Sequence, residues 1–235
     1  MASINNILND SEITLDERLQ KAIELINNPI DDESIPNAIC WIGYRVLYGG
    51  VDVSIYKKYK DTPYNVINEG LNARWIMSLS ILDLYVDILE GRLDEGKLKN
   101  VSLIWVNKNV KTLWPPQILN YLRSTVLYAY YLYLSDRNEE CISLCVNTID
   151  QWRISTCSFS ISEHPFRFTE MRDDFKCLQI LVFLLRECKY ISFDDYYWMN
   201  LDIINNKEND NEPFFNRALR MFGNINPEKA LWKQL

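Results

Sequence analysis

Histidine is almost missing from this sequence, which contains only His164 among its 235 residues. Zinc sites of the HExxH type and histidine–aspartate phosphohydrolase sites each use at least two histidines, so neither class of enzyme is expected. The glycine patterns that bind nucleotide phosphates, GxGxxG and GxxxxGK followed by Ser or Thr, are missing too. The GxSxG motif of serine hydrolases is missing as well, although a serine triad that is assembled in space needs no such motif. We therefore predict no catalytic residue, no cofactor and no metal.

Glycine and proline are also scarce, at 7 and 8 residues of 235. Proteins contain on average roughly 7% glycine and about 5% proline, and the tight turns of all-β folds use both. The shortage disfavours an all-β fold. The chain is instead 48% hydrophobic and 13% aromatic, which predicts a globular protein with a sizeable core.

Basic residues are outnumbered by acidic ones, 25 to 32, which gives a formal net charge of -7. Nucleic-acid binding depends on Lys and Arg displacing counterions from phosphates, so we expect no general binding to nucleic acid. A basic protein is the partner that this charge favours. The opening residues are polar and no run of about 18 apolar residues occurs, so neither secretion nor membrane insertion is expected. The predicted location is the cytoplasm.

Six cysteines are present, mostly among apolar residues of predicted helices, where a reduced cysteine behaves as a small hydrophobe. Cys141 and Cys145 are four residues apart and would share a helix face, a spacing that suits two ligands of a metal ion. A closed zinc site needs four ligands, and no second pair lies at a suitable spacing. Core packing is therefore the preferred interpretation.

Helical periodicity dominates the chain and predicts an all-α fold. Thr14 and Glu17 form a capping box ahead of a first helix, and Gly49 and Gly50 end a second helix that starts near Ser34. Further helices are predicted at about 52–60, 68–90, 94–108, 115–134, 138–154, 170–188, 193–205, 213–222 and 227–235.

Very short breaks between several of these helices predict antiparallel neighbours. They lie at Gly49 to Asp52, Gly91 to Asp94, Ser135 to Asn138 and Lys189 to Ser192. The acidic residues that open the second helices, Asp52, Asp94, Glu139 and Asp194, are separated by 42, 45 and 55 residues. This degenerate period predicts stacked helical hairpins, as an α-solenoid or a compact bundle.

We expect a single helical domain over residues 1–235. Within it the N-terminal helix occupies 1–32, the hairpin stack runs from 33 onward, and capping helices occupy 206–235.

Two stretches resemble tetratricopeptide-type units, DLYVDILEGRLDEGKLKNVSLIW at 83–105 and LYAYYLYLSDRNEECISLCVNTIDQW at 127–152. In each, an aromatic-rich first helix meets a short acidic turn and a second helix. Together they cover about a fifth of the chain. The resemblance implies a helical-repeat scaffold and no activity. The period here is longer than that family's roughly 34 residues, and regular small residues and a closing proline are missing.

The helical pattern changes between Ser155 and Thr169. Cys157, Phe159 and Ile161 alternate with serines, which predicts a small β-hairpin or an extended excursion. His164 lies in the same stretch near Glu170. It is a candidate general base oriented by a carboxylate, but a loop histidine that stabilises a turn is the preferred interpretation.

Arginine and tyrosine recur on the first helix of each predicted hairpin. These residue types dominate the hot spots of protein interfaces, and in solenoids the first helices usually line the concave surface. With two residues of the serine-rich stretch added, the predicted binding residues are Tyr44, Arg45, Arg74, Tyr121, Arg123, Tyr128, His164 and Arg167. Packing between helices is the alternative, because 14 tyrosines in a helical protein pack together whatever its function.

The predicted function is a non-enzymatic protein–protein interaction scaffold or adaptor. A first alternative is an intracellular immunity-type inhibitor that blocks a basic toxin, with fast association that weakens in salt. A second alternative is a helical enzyme or small-molecule binder with a site near residues 155–170. The sequence predicts no oligomeric state.

Overall fold

The computed structural model describes residue 8 and residues 12–63, 73–106, 115–157, 167–192 and 213–231. These ranges contain nine α-helices, one short 3-10 turn and no strand, so the all-α prediction is confirmed. The helices are α1 (Leu15–Asn27), α2 (Ser34–Leu47), α3 (Val53–Tyr59), α4 (Ala73–Leu89), α5 (Glu95–Val106), α6 (Pro115–Leu134), α7 (Asn138–Cys157), α8 (Arg167–Glu187) and α9 (Pro213–Gly223), and the 3-10 turn is Pro227–Lys229.

The chain forms two compact units, Met1–Arg92 with α1 to α4 and Leu93–Leu235 with α5 to α9. The single domain expected from the sequence stays a prediction. The helix predicted over 193–205 lies outside the described residues. Across the part of the chain that the structure describes, no helix is long and apolar enough to cross a membrane.

In the first unit, α2 is the central helix and contacts α1, α3 and α4. The predicted capping box starts α1: the Glu17 N–H donates to the Thr14 hydroxyl at 3.2 Å, and the Thr14 N–H donates to the Glu17 carboxylate at 2.8 Å. Gly43 lets α2 approach its neighbours, since a Cβ there would lie 3.0 Å from Tyr56 Cε2 and 3.1 Å from Leu82 Cδ1.

In the second unit, α6 is the central helix and contacts α5, α7, α8 and α9. Every residue from 119 to 130 is buried. Hydroxyl groups join this stretch to α5. The Ser102 hydroxyl of α5 donates to the Ser124 carbonyl oxygen at 2.8 Å, and the Thr125 hydroxyl of α6 donates to the Ser102 carbonyl oxygen at 2.8 Å. These bonds satisfy buried polar groups that would otherwise destabilise the core.

The four predicted breaks all follow helix ends and share one geometry. Each has a left-handed residue two positions past the helix: Gly49 and Gly91 at φ 78°, Asp136 at φ 61° and Lys189 at φ 60°. In each, the N–H of the next residue donates to the carbonyl oxygen five residues back, at 2.8 to 2.9 Å. This is the Schellman arrangement. The predicted positions of the four breaks are therefore confirmed. Two of the left-handed residues, Asp136 and Lys189, are not glycine, so the sequence did not predict their positive φ.

Acidic residues open the helices that follow two of these breaks, as predicted. The Asp52 carboxylate accepts from the Ser54 N–H at 2.8 Å, and the Asp94 carboxylate accepts from the Lys97 N–H at 2.9 Å. Such caps satisfy amide groups that have no partner within the helix. Glu139 lies in the first turn of α7, and Asp194 lies outside the described residues.

The stretch 155–169 is helical at both ends, because α7 continues to Cys157 and α8 starts at Arg167. The β-hairpin interpretation is wrong for these outer positions. Extending a formed helix adds a hydrogen bond per residue, whereas an isolated two-stranded hairpin is marginal in water. The inner part, residues 158–166, lies outside the described residues and includes His164.

Candidate binding surfaces

A cluster of aromatic and arginine side chains, here called the α2 patch, consists of Trp41, Tyr44, Arg45 and Tyr48. The Arg45 guanidinium carbon lies 5.4 Å from the centroid of the Trp41 ring. Trp41 is buried, Tyr44 and Arg45 are half-buried, and Tyr48 is 50% exposed. Helical spacing stacks these residues along one side of α2. The patch therefore places an ordered cation beside two aromatic rings that are at least partly accessible to solvent.

The end of α2 fixes the position of this patch. The Tyr48 N–H donates to the Tyr44 carbonyl oxygen at 3.0 Å, and the Gly50 N–H donates to the Arg45 carbonyl oxygen at 2.8 Å. Gly50 also lies against Leu15 of α1, whose Cδ2 would be 3.1 Å from a Cβ at this position. Side chains held on such a fixed backbone lose less conformational entropy when they bind.

Carboxylates crowd the surface of α1 and the loop after it. From residue 12 to residue 50, the exposed charged residues are all acidic, and only half-buried Arg18, Lys21 and Arg45 oppose them. Hydrogen bonds from the Thr14 backbone and hydroxyl lower the pKa of Glu17. The exposed acids are Glu12, Asp16, Glu17, Glu24, Asp31, Asp32 and Glu33.

The arginine–tyrosine residues predicted on α6 are buried. Tyr121, Arg123 and Tyr128 are at most 3% exposed, because α9 and the other helices of the unit surround them. Arg123 Nη1 donates to Asn120 Oδ1 at 2.9 Å. In this conformation these side chains form part of a core rather than an open surface.

The three other predicted binding residues are Arg74, His164 and Arg167, and the structure describes none of their side chains. Arg74 lies in the first turn of α4 and Arg167 is the first residue of α8. Their side chains, and all of His164, lie outside what the structure describes. The binding roles assigned to these three residues stay predictions.

A charged cluster that sequence reasoning missed joins α5, α6 and α7. Arg137 donates from Nε and Nη2 to the two carboxylate oxygens of Glu140, each at 2.7 Å, and from Nη1 to Glu95. The Tyr131 hydroxyl donates to Glu95 at 2.9 Å. Hydrogen bonds from Arg137 lower the pKa of both carboxyls, and the bond from Tyr131 also lowers that of Glu95. The planar fork of arginine suits this geometry.

Three cysteine thiols meet where α7 begins and α8 ends. The Sγ atoms of Cys141 and Cys145 lie 4.0 Å apart, and Cys188 Sγ lies 3.7 Å from Asn138 Oδ1. The thiols of Cys141 and Cys188 also interact. The predicted shared face of Cys141 and Cys145 is confirmed, but Cys188 was not foreseen. Among the described residues, no group of three or more His, Cys, Asp or Glu is placed to hold a metal ion.

No family model, curated protein or solved structure matches this chain. The resemblance to tetratricopeptide-type units therefore stays a prediction.

Proposed function

We propose that the chain is a non-enzymatic protein-binding module and that the α2 patch is its docking surface. One observation carries this proposal: Arg45 is stacked on buried Trp41 while Tyr44 and Tyr48 remain accessible beside it. Trp, Tyr and Arg are the residues most enriched in interface hot spots. The five described cysteines that are free thiols are consistent with a reducing compartment, and we place the protein in the cytoplasm.

The chemistry of the α2 patch suggests how a partner would bind. Arg45 would donate its N–H groups to carbonyl or carboxylate oxygens, and its stacking on Trp41 would hold the guanidinium plane in place. The rings of Tyr44 and Tyr48 would cover apolar side chains of the partner. A partner loop or helix with one acidic or carbonyl-rich site flanked by apolar residues would fit this surface.

The acidic surface of α1 favours a second candidate, an immunity-type inhibitor of a basic protein. Seven exposed carboxylates between residues 12 and 33 would attract a positively charged partner and speed its approach. Because the Debye length is about 10 Å at 0.1 M salt, this attraction would be strongly screened at higher ionic strength. An adaptor that binds through the α2 patch alone would show much weaker salt dependence.

Differential capture tests the proposal. Wild-type chain, a Tyr44→Ala/Arg45→Ala/Tyr48→Ala variant and a Tyr190→Ala control would be immobilised, and captured proteins would be quantified by mass spectrometry. Tyr190 is a matched control because it is 56% exposed and lies after α8, outside the patch. Circular dichroism would confirm that all three are folded.

We expect a partner that is retained by wild type and control and reduced at least about tenfold by the triple variant. Repeating the capture at low and high salt separates the two candidates, since only a basic partner is lost steeply with salt. Equal capture by all three proteins would refute the α2 patch as the docking surface.

A further inference from the structure

The three neighbouring thiols of the second unit differ in how far they lie from solvent. Cys188, the first residue after α8, is half-buried, and its Sγ lies 3.7 Å from Oδ1 of exposed Asn138. Its thiol hydrogen-bonds to that of buried Cys141, near the start of α7. Cys141 Sγ also lies 4.0 Å from Sγ of buried Cys145. A reagent in solvent therefore meets Cys188 first, and Cys141 lies directly behind it.

Helix geometry decides which of the two neighbouring thiol pairs can form a disulfide. A disulfide needs Cβ atoms about 3.5–4.5 Å apart. Cys141 and Cys145 are both on α7, and residues four apart on a helix have Cβ atoms about 5–6 Å apart. A bond between them would distort the helix. Cys141 and Cys188 come from different segments whose thiols are already in contact, so this pair is the one that can be oxidised.

We propose that Cys141 and Cys188 form a site of reversible oxidation, at which a low-molecular-weight disulfide such as oxidised glutathione converts the two thiols into a disulfide within one chain. Cys145 stays reduced. In a reducing compartment both thiols are free, and the bond forms when the ratio of oxidised to reduced glutathione rises. The site belongs to the second unit, so this inference does not depend on the α2 patch.

Two thiol–disulfide exchanges give this product. In the first, the Cys188 thiolate attacks one sulfur of the small disulfide, and the other sulfur leaves as a thiolate that takes up the proton lost by Cys188. In the second, the Cys141 thiolate attacks Cys188 Sγ, and the attached small thiol leaves and takes up the proton lost by Cys141. One small disulfide is thereby reduced to two thiols, while Cys141 and Cys188 together lose two electrons.

The groups around the two thiols set the rate of this reaction. A hydrogen bond with Cys141, and then burial, raise the pKa of Cys188, whereas the cation of Lys229 opposes this shift. Because exchange requires the thiolate, the reaction is slow at neutral pH and accelerates as the pH rises. The titratable groups that face the pair are Tyr133 of α6, Cys145 of α7, Glu187 of α8 and Lys229 of the 3-10 turn.

Peptide mapping tests which thiols pair. Full-length wild type is incubated with mixtures of oxidised and reduced glutathione at mildly alkaline pH. The remaining thiols are then alkylated in denaturant, and disulfide-linked peptides are identified by mass spectrometry. The expected product is a Cys141–Cys188 link within monomeric chains, with Cys145 alkylated. Cys145→Ala forms the same link, whereas Cys188→Ser leaves Cys141 reduced because the accessible thiol is missing.

Urea unfolding of the oxidised and reduced forms provides a second readout. The disulfide joins residues 47 positions apart and constrains the unfolded chain, so the oxidised form has the higher urea midpoint and dithiothreitol reverses the shift. A lower midpoint for the oxidised form shows that the bond does not fit the native packing and overturns the proposal. So does a link between Cys141 and Cys145, glutathione that stays attached to Cys188, or a Cys141 and Cys188 pair that stays reduced.

Discussion

Asp136 and Lys189 adopt the same left-handed backbone conformation, at φ 61° and φ 60°, two residues past the ends of α6 and α8. They stand where Gly49 and Gly91 stand past the ends of α2 and α4. Residues with a Cβ are strained in this region by about 1–2 kcal/mol, a cost that glycine avoids. Replacing Asp136 or Lys189 by glycine should therefore raise the stability of the fold, whereas replacing Gly49 or Gly91 by alanine should lower it.

Lys189→Gly is expected to stabilise the protein by about 0.5–1 kcal/mol, because relief of backbone strain exceeds the extra entropy of glycine in the unfolded chain. Urea unfolding followed by circular dichroism measures the effect. Lys99→Gly, at an exposed position within α5, is the matched control. Its free energy of unfolding is expected to fall by about 1 kcal/mol. A lower urea midpoint for Lys189→Gly contradicts the prediction.

Gly43→Ala is expected to cost about 1–3 kcal/mol, because the added methyl group meets the rings and methyl groups packed against α2. The nearest atom, Tyr56 Cε2, would lie only 3.0 Å away. Gly49→Ala provides the contrast: nothing lies within 4 Å of its Cβ, so its loss comes from backbone strain alone. Near-ultraviolet circular dichroism reports the packing of aromatic side chains. We expect the spectrum of Gly43→Ala to differ from that of wild type and the spectrum of Gly49→Ala to match it. Identical spectra for all three proteins would refute the crowding at Gly43.

Acid should weaken the contacts of Arg137. The pKa values of Glu95 and Glu140 are lowered from 4.5, so their contribution to stability is present above pH 4.5 and is lost as pH falls through the lowered values. We expect Arg137→Met to be less stable than wild type at neutral pH and to converge with it in acid. Urea midpoints measured across this pH range decide the matter, and a stability difference that does not change with pH contradicts the prediction.

Alkylation should distinguish the three neighbouring thiols. Cys188 is half-buried, whereas Cys141 and Cys145 are buried. The thiol hydrogen bond with Cys141, and then burial, raise the pKa of Cys188, so its reaction is slow at neutral pH and accelerates in base. Peptide mapping after timed iodoacetamide treatment should show Cys188 modified first. Earlier modification of Cys141 or Cys145 would contradict the packing described for α7 and α8.

Local signals in the sequence predicted helix ends well. The capping box at Thr14, the glycines at 49 and 91 and the caps Asp52 and Asp94 each act within a few residues, so their effects can be read from spacing. Left-handed Lys189 gave no such signal, since lysine rarely adopts that conformation.

Long-range packing explains what the sequence could not show. Arg123 and Tyr128 share the chemistry of binding residues, but only the docking of α9, some ninety positions later, decides that Arg123 is buried. The contacts of Glu95 with Arg137 and of Cys141 with Cys188 also depend on long-range packing, because these residues lie 42 and 47 positions apart in the sequence. Periodicity along a helix identifies its apolar side but does not identify the element that covers it.

The most direct test of the proposed binding role is the affinity of the captured partner, once purified, for wild type and for Arg45→Ala. Isothermal titration calorimetry measures both, with Tyr190→Ala as control. The proposal predicts at least about tenfold weaker binding by Arg45→Ala, equivalent to about 1.4 kcal/mol, and unchanged binding by the control. Equal affinity of wild type and Arg45→Ala would contradict it.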